Sequence, residues 1–269
     1  MEFLYPSELF NNKKVDESFK EEFDIISKDF KTHLIDIDNL ESTKKIIATD
    51  NVLYRGWMLS EEKYELLYKK IVLEDNFPAL KVSPKEYLDS HHLPNWYENI
   101  KDYTPQSIIT SVENIEKDFK ISQWGQAFIK DYVKSIKTGK GSIVSNTEDI
   151  KRVIEDMLKY KGFIEGGLIL REVKNFIPET EVRFFVLNNQ LYSPSSSVEE
   201  SKIQMAEKIV EQFPNKYFFS IDVISDKKGK NWVVEIGDGQ VSDYVGWEIK
   251  NFTSIFNHLK YQSIKTLKV

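Results

Sequence analysis

Two acidic residues stand alone inside apolar runs. Asp222 interrupts the run from Phe218 to Val223, and Glu235 the run from Trp232 to Ile236. Burying a carboxylate is costly unless it is paired or bound to a cation. Both runs are rich in β-branched and aromatic residues, and Asp226-Lys-Lys-Gly229 between them is turn chemistry. Residues 217–242 therefore read as a β-hairpin. Closed at 226–229, it brings positions 222 and 235 near each other across the ladder. Two close carboxylates stay ionised together only with a cation between them. Hard oxygen donors with no His or Cys nearby favour magnesium, carried in with a nucleotide phosphate. The competing reading puts both acids on the solvent side of a half-exposed hairpin.

A second charged group lies upstream. Lys130 sits in the strand-like run from Gln126 to Val133, and Lys134 follows it. A basic, glycine-containing stretch comes next (135–142), then the capping box Ser145-Asn-Thr-Glu148. It opens a helix with Ile150, Val153, Ile154, Met157 and Leu158 on one face. Lysine ammoniums and loop N–H groups together suit a flap over phosphates. A solvated basic hairpin tip is the plain alternative. The loop is no P-loop, since Lys140 is followed by Gly141. Gly237-Asp-Gly239 lacks the third glycine and helix start of a dinucleotide fingerprint. The nucleotidyl-transfer motif Lys-x-Asp-Gly is absent, because Asp131 directly follows Lys130.

The elements that must position these groups come from a chain of 269 residues, enough for two domains or lobes. Its net charge of −6 argues against a dedicated nucleic-acid binder, so no DNA partner is expected. The absence of cysteine excludes a disulfide scaffold, a thiolate metal site and a cysteine nucleophile, and suits a reducing cytoplasm. The N-terminus has no signal-peptide pattern, and no apolar stretch approaches the roughly 20 residues of a membrane span.

Residues 1–104 read as an α/β lobe. Strands are expected at Phe3–Tyr5 (ended by Pro6), His33–Ile37, Val52–Tyr54 and Ala79–Val82, and helices over 13–30, from Ser60 and from Ser83. Such alternation implies a parallel sheet with ligands at the carboxyl ends of its strands. Arg55 and Trp57 directly follow a strand, so they either meet a ligand or serve as ion-pair partner and core. His91 and His92 have no third ligand at metal spacing and read as loop or interface residues. Further on, Gly167–Val173 is a strand ending in Arg171-Glu172. Glu181–Leu187 pairs with Gln190–Ser193 through the Asn188-Asn189 turn. A helix marked by Ile203, Ala206, Ile209, Val210 and Phe213 leads into the acidic hairpin.

This order of lysine strand, glycine loop, helix, Glu-x-Arg strand, helix, Asp strand and Glu strand resembles the ATP-grasp superfamily. The likeness is to the clade named for two arginines and one lysine. It covers nearly the whole chain through the segments LYPSELFNNKKVDESF, LYRGWMLS, KDYVKS, LREV, EVRFF, SIDV and VVEIGDGQVS. The resemblance implies an α/β (α+β) ATP-grasp fold with an N-terminal α/β lobe (1–104) and two subdomains clasping ATP (105–172 and 173–269). It implies that Lys130 and Lys134 contact phosphates, that Glu172 and Val173 meet adenine, and that Glu181 takes the ribose hydroxyls. Asp222 and Glu235 become magnesium ligands, and Arg171 and Arg183 meet phosphate or an acyl phosphate. Many relatives carry asparagine two residues after the last glutamate. Here that residue is Gly237, leaving Asp238 or Gln240 to supply the oxygen.

The chemistry implied is ATP- and Mg2+-dependent ligation. ATP phosphorylates a carboxylate on a small molecule or peptide, and an amine or related nucleophile attacks the acyl phosphate. The N-terminal lobe, with Arg55 and Trp57, would hold the non-nucleotide substrate. A kinase or RNA-end ligase on the same fold, and an inactive nucleotide-binding regulator, are the alternatives.

Overall fold

A computed structural model describes residues 1–133 and 141–260. Its elements, in chain order, are β1 (Glu2–Glu8), β2 (Asn11–Val15), α1 (Lys20–Ile26), β3 (Thr32–Ile35), β4 (Ile46–Ile47), β5 (Val52–Tyr54), α2 (Glu61–Lys70) and β6 (Ile71–Val72). Then come α3 (Pro84–His91), α4 (Leu93–Ile100), β7 (Ser107–Thr110), α5 (Ile115–Ser122), β8 (Ala127–Asp131), β9 (Ile143–Val144), α6 (Thr147–Lys161) and β10 (Leu168–Glu172). The rest are β11 (Val182–Leu187), β12 (Gln190–Tyr192), α7 (Glu200–Gln212), β13 (Phe218–Ser225), β14 (Asn231–Asp238) and α8 (Ile249–Ser254). Among the described residues no helix is long and apolar enough to cross a membrane.

The chain forms two compact units. Unit 1 comprises Met1–Leu88, Val182–Ile221 and Gly237–Val269; unit 2 comprises Asp89–Glu181 and Asp222–Ile236.

In unit 1, β1 is central. It runs parallel to β3, from Phe3 opposite Thr32 to Pro6 opposite Ile35, and parallel to β5, with Leu4 opposite Tyr54. β2 returns antiparallel, and its ladder slips between Ser7 and Glu8. The strand expected to stop at Pro6 thus continues, because the proline carbonyl still accepts the Asp16 N–H. The helix expected over 13–30 shortens to α1. Residues 11–15 pair with β1 instead, a case of tertiary pairing overriding helical spacing. Ala79–Val82 does not form a strand of its own; Leu80 makes a single bridge to Val52. Ser60 caps α2 as its sequence predicts, accepting from the Lys63 N–H. The core gathers Phe3, Leu4, Tyr5, Leu53, Tyr54 and Phe252, among others.

In unit 2, β7, β10, β8 and β9 form an antiparallel sheet in that order. Ala127, Ile129, Leu168 and Leu170 pack on Ile115, Val153 and Met157 of α5 and α6. Asn146, one residue later than the expected Ser145, caps α6 by accepting the Asp149 N–H, while Asp149 takes the Ser145 N–H. Side chains alternate along a strand, and Lys130 lies opposite Ile169. Lys130 and Arg171 therefore share the sheet face turned away from α5 and α6.

The remaining sheet runs β12-β11-β13-β14, and its last two strands pass through both units. Asn188 and Asn189 both adopt positive φ (51° and 62°), the turn their dipeptide predicts between β11 and β12.

Candidate functional site

The hairpin β13–β14 carries the paired acids. Every residue of β13 is buried, Asp222 to 3% exposure. At the turn, Asp226 N–H donates to the Lys230 carbonyl and Gly229 N–H to the Asp226 carbonyl, with Gly229 at φ +80°. At the far end, Gly239 N–H donates to the Phe218 carbonyl. Between these two pairs β14 advances nine residues (230 to 239) and β13 eight (218 to 226). One extra residue, a β-bulge, must therefore sit in β14. The Trp232 indole still meets Asp226, and Gly237 already faces Ser220, which places the bulge between 232 and 237. Val234 and Glu235, consecutive and both half-buried, mark it. On either side of the bulge the ladder sets Glu235 at a position neighbouring Asp222. Two carboxylates on adjacent strands are hard-oxygen donors that fit magnesium.

The cations of unit 2 lie on β8 and β10. Lys130 is buried. Arg171 donates through Nη1 to the Val234 carbonyl (2.6 Å) and through Nη2 to the Val233 carbonyl (3.3 Å) and the Thr104 hydroxyl. Its fork thus holds the backbone beside Glu235. Burial lowers its pKa to about 10, against the opposing pull of Glu235, so it stays charged at neutral pH. Its Nε is buried without a hydrogen-bond partner. Glu172, at the end of β10, pairs with Lys174 (2.5 Å), whose ammonium lies 4.8 Å from the Trp232 ring centre. Val173 follows, half-buried, and Glu181 is exposed just before β11. Lys134 lies outside the described residues.

Unit 1 carries the other expected residues. Asp238 is fully buried; its Oδ1 accepts from the Gln240 N–H (2.9 Å) and Nε2 (3.1 Å), and its Oδ2 has no hydrogen-bond partner. Burial raises its pKa to about 7 despite those bonds. At Gly237 an added Cβ would lie 2.7 Å from the Ser220 hydroxyl and 2.9 Å from that of Ser242. The space an asparagine would fill is thus taken by two serines. Arg55 is buried and grips the Glu22 carboxylate with Nε and Nη2, while Nη1 reaches the Gly239 and Ser242 carbonyls. The fork expected to meet a substrate carboxylate therefore meets one from α1. Arg183 donates to the carbonyl and side chain of Asp243. Trp57 is half-exposed, with its indole N–H on Asp16 Oδ2 (3.0 Å). Sequence reasoning missed Glu22, Ser220 and Ser242. Glu22 looked like one acid among several on a charged helix, and lone serines carry no spacing signal. Among the described residues, no group of three or more His, Cys, Asp or Glu side chains could hold a metal ion.

Comparison with known proteins bears on the fold and the family. Residues 85–257 match the model of an ATP-grasp domain family, the third family of the clade named for two arginines and one lysine. No curated protein matches the chain in sequence. Among solved structures, D-cycloserine synthetase DcsG is similar over 97% of this chain and 100% of its own, at 8% identity and a TM-score of 0.63. A RimK domain ATP-grasp protein from Sphaerobacter thermophilus covers 94% of this chain and 98% of its own, at 12% identity and a TM-score of 0.60. The ATP-grasp ligase PsnB, complexed with precursor peptide PsnA2 and AMPPNP, covers 96% and 98%, at 10% identity and a TM-score of 0.60. Identities this low speak for the fold alone, whereas the family match spans well over half of the sequence. The chain belongs to the ATP-grasp superfamily, in the clade of two arginines and one lysine.

Proposed function

We propose that the chain is an ATP- and Mg2+-dependent ligase that joins a carboxylate to an amine or related nucleophile and releases ADP and phosphate. In the first step a carboxylate oxygen attacks the γ-phosphorus and ADP leaves. In the second the nucleophile attacks the acyl carbon and phosphate leaves. The observation that carries this reading is the Asp222–Glu235 hairpin in a chain of this family, with Lys130 and Arg171 together on one sheet face of the same unit. Magnesium commonly takes one or two carboxylates and fills its remaining positions with phosphate oxygens and water. In our reading Asp222 and Glu235 are those carboxylates, and Asp238 serves its own loop through Gln240. A magnesium held there would supply charge neutralisation for the transferring phosphoryl group, and Lys130 and Arg171 add fixed positive charge on one sheet face of the same unit.

The finer roles are part of the proposal. Lys130 and Lys134 hold the phosphates, Glu172 and Val173 frame adenine, and Glu181 takes the ribose. Arg183 joins Arg171 in offsetting the charge of the acyl phosphate. The subdomain division at residues 104 and 172, and action in the cytoplasm, are likewise proposed. PsnB is described with a precursor peptide bound, which makes peptide carboxylates the first acceptors to try. The test is a screen of amino acids, peptides and amines for stimulated ADP release, with product masses measured. Condensed product plus ADP supports the ligase. Phosphorylated product without condensation would make it a kinase, and AMP release would point to end-joining of RNA.

A further inference from the structure

The carboxyl ends of the three parallel strands of unit 1 border a half-open pocket of about 440 Å³. Ser7 at the end of β1, Ile37 and Asp38 after β3, Trp57 after β5 and Lys63 in the first turn of α2 line it, together with Asp16. Open α/β sheets take their ligands at this edge, and the volume suits a small molecule.

Its chemistry is lopsided. Two carboxylates face one ammonium, and the Asp38–Lys63 contact is long, at 3.9 Å, between two half-exposed side chains. Such a pair holds little energy. Asp16 accepts from the Ser18 N–H and the Trp57 indole N–H, one on each oxygen. Each oxygen keeps a second lone pair for a further donor. Ser7 supplies an independent sign. The residue is 6% exposed, it lines the pocket, and its buried hydroxyl has no hydrogen-bond partner. Buried hydroxyls are nearly always paired, so this one awaits a donor or acceptor. The β1–β2 ladder slips at Ser7, the kind of irregularity that re-aims a side chain beside a site. Ile37, Leu59 and the Trp57 ring add apolar wall beside the polar Ser60.

We propose that this pocket binds a hydrophobic primary amine as its ammonium, the nucleophile of the ligation. The ammonium donates to the Ser7 hydroxyl and to the carboxylates of Asp16 and Asp38, and the apolar body lies against Ile37 and Trp57. Naming the ligand a co-substrate rests on the ligase reading; the binding itself does not.

Calorimetry on the full chain tests it with three matched probes: 2-phenylethylamine, its N-acetyl derivative and 3-phenylpropanoate. The amine is expected to bind, the acetylated form at least about tenfold more weakly, and the acid without detectable heat. Ser7→Ala should weaken amine binding roughly three- to tenfold without lowering the melting temperature, because the hydroxyl has no bond to lose in the free protein. Asp38→Asn should weaken it about tenfold or more, and Lys63→Ala should tighten it by removing the competing cation. MgATP affinity should not change in any of the three. Equal binding of the amine and its acetyl derivative would overturn the proposal, as would an amine affinity indifferent to both Ser7→Ala and Asp38→Asn. Should amines bind in the expected pattern yet never stimulate ADP release, the pocket stands and the ligase reading falls. Should amine-stimulated ADP release show a KM for the amine that neither variant moves, the ligase reading stands and the pocket assignment falls.

Discussion

Glu22 and Arg55 form a buried two-pronged ion pair, Nε to Oε1 at 2.8 Å and Nη2 to Oε2 at 2.9 Å, with both residues 1% exposed. The guanidinium also lies 4.7 Å from the Phe252 ring centre and donates to the Gly239 and Ser242 carbonyls. Arg55 thus ties α1 to the loop that follows β14. The attraction in such a pair roughly offsets its desolvation, but removing one partner strands a buried charge. Glu22→Gln should therefore cost about 3–5 kcal/mol in urea denaturation. Arg55→Lys should also destabilise, because a lysine cannot reproduce the planar fork. A loss below about 1 kcal/mol for Glu22→Gln would mean that Arg55 does not depend on this partner.

Gly237 is held to glycine by its neighbours. The Ser220 and Ser242 hydroxyls, 2.8 Å apart, occupy the space a side chain would need. Gly237→Asn, which introduces the residue that the ATP-grasp resemblance leads one to expect here, should cost roughly 1–3 kcal/mol from overpacking. Adding Ser220→Ala and Ser242→Ala should recover most of that loss. Chemical denaturation of the single and triple variants measures both. A Gly237→Asn protein as stable as the parent would show that the serines move aside freely.

Much of the fold was legible because its strongest signals are local. The turn at 226–229, the paired asparagines, the Ser60 cap and the apolar face of α6 each declare themselves within a few residues. Asp222 and Glu235 stood out for the same reason, as charges inside apolar runs. What stayed hidden depends on long-range pairing. Asn11–Val15 has helical spacing but is captured by β1. Arg55 follows a strand, as a ligand-binding residue would, yet nothing in the sequence says that Glu22 waits for it 33 positions upstream. The bulge in β14 was equally invisible, since it shows only when the two ends of one ladder are compared. Ser7 carries no motif and is conspicuous only through its missing partner.

The N-terminal strand gives unit 1 an acid-sensitive element. Glu2 is buried, accepts from the Thr49 N–H (3.0 Å) and Lys31 (3.2 Å), and faces the His33 ring (2.5 Å). Burial alone would raise its pKa, but the hydrogen bonds from His33, Thr49 and Lys31 outweigh it and lower the value from 4.5 to about 2. A depressed folded-state pKa adds stability that is complete above the unfolded value and drains away as the pH falls toward the folded one. The contribution should be about 2–3 kcal/mol at neutral pH, lost between about pH 5 and pH 2. Glu2→Gln should be less stable than the parent at pH 6, and the two curves should converge near pH 2. Parallel curves across that range would remove Glu2 as the source.

The metal assignment faces the sharpest test. Asp222→Asn and Glu235→Gln keep the side-chain shape and remove the charge that magnesium needs. Both sit in a hairpin whose register is set elsewhere, by the turn at Asp226 to Lys230 and by the Phe218–Gly239 pair. Folding should therefore survive, because both substitutions keep the side-chain volume. ATP turnover should fall at least about a hundredfold for each, the scale of losing one major electrostatic element. A second readout separates metal binding from general damage. Calorimetry of ATP with and without magnesium should show that the metal tightens nucleotide binding in the parent and does so far less in either variant. AMP, which lacks the outer phosphates, should bind all three proteins alike. Normal turnover in either variant, or an undiminished magnesium effect on ATP binding in both, would remove Asp222 and Glu235 from the metal site.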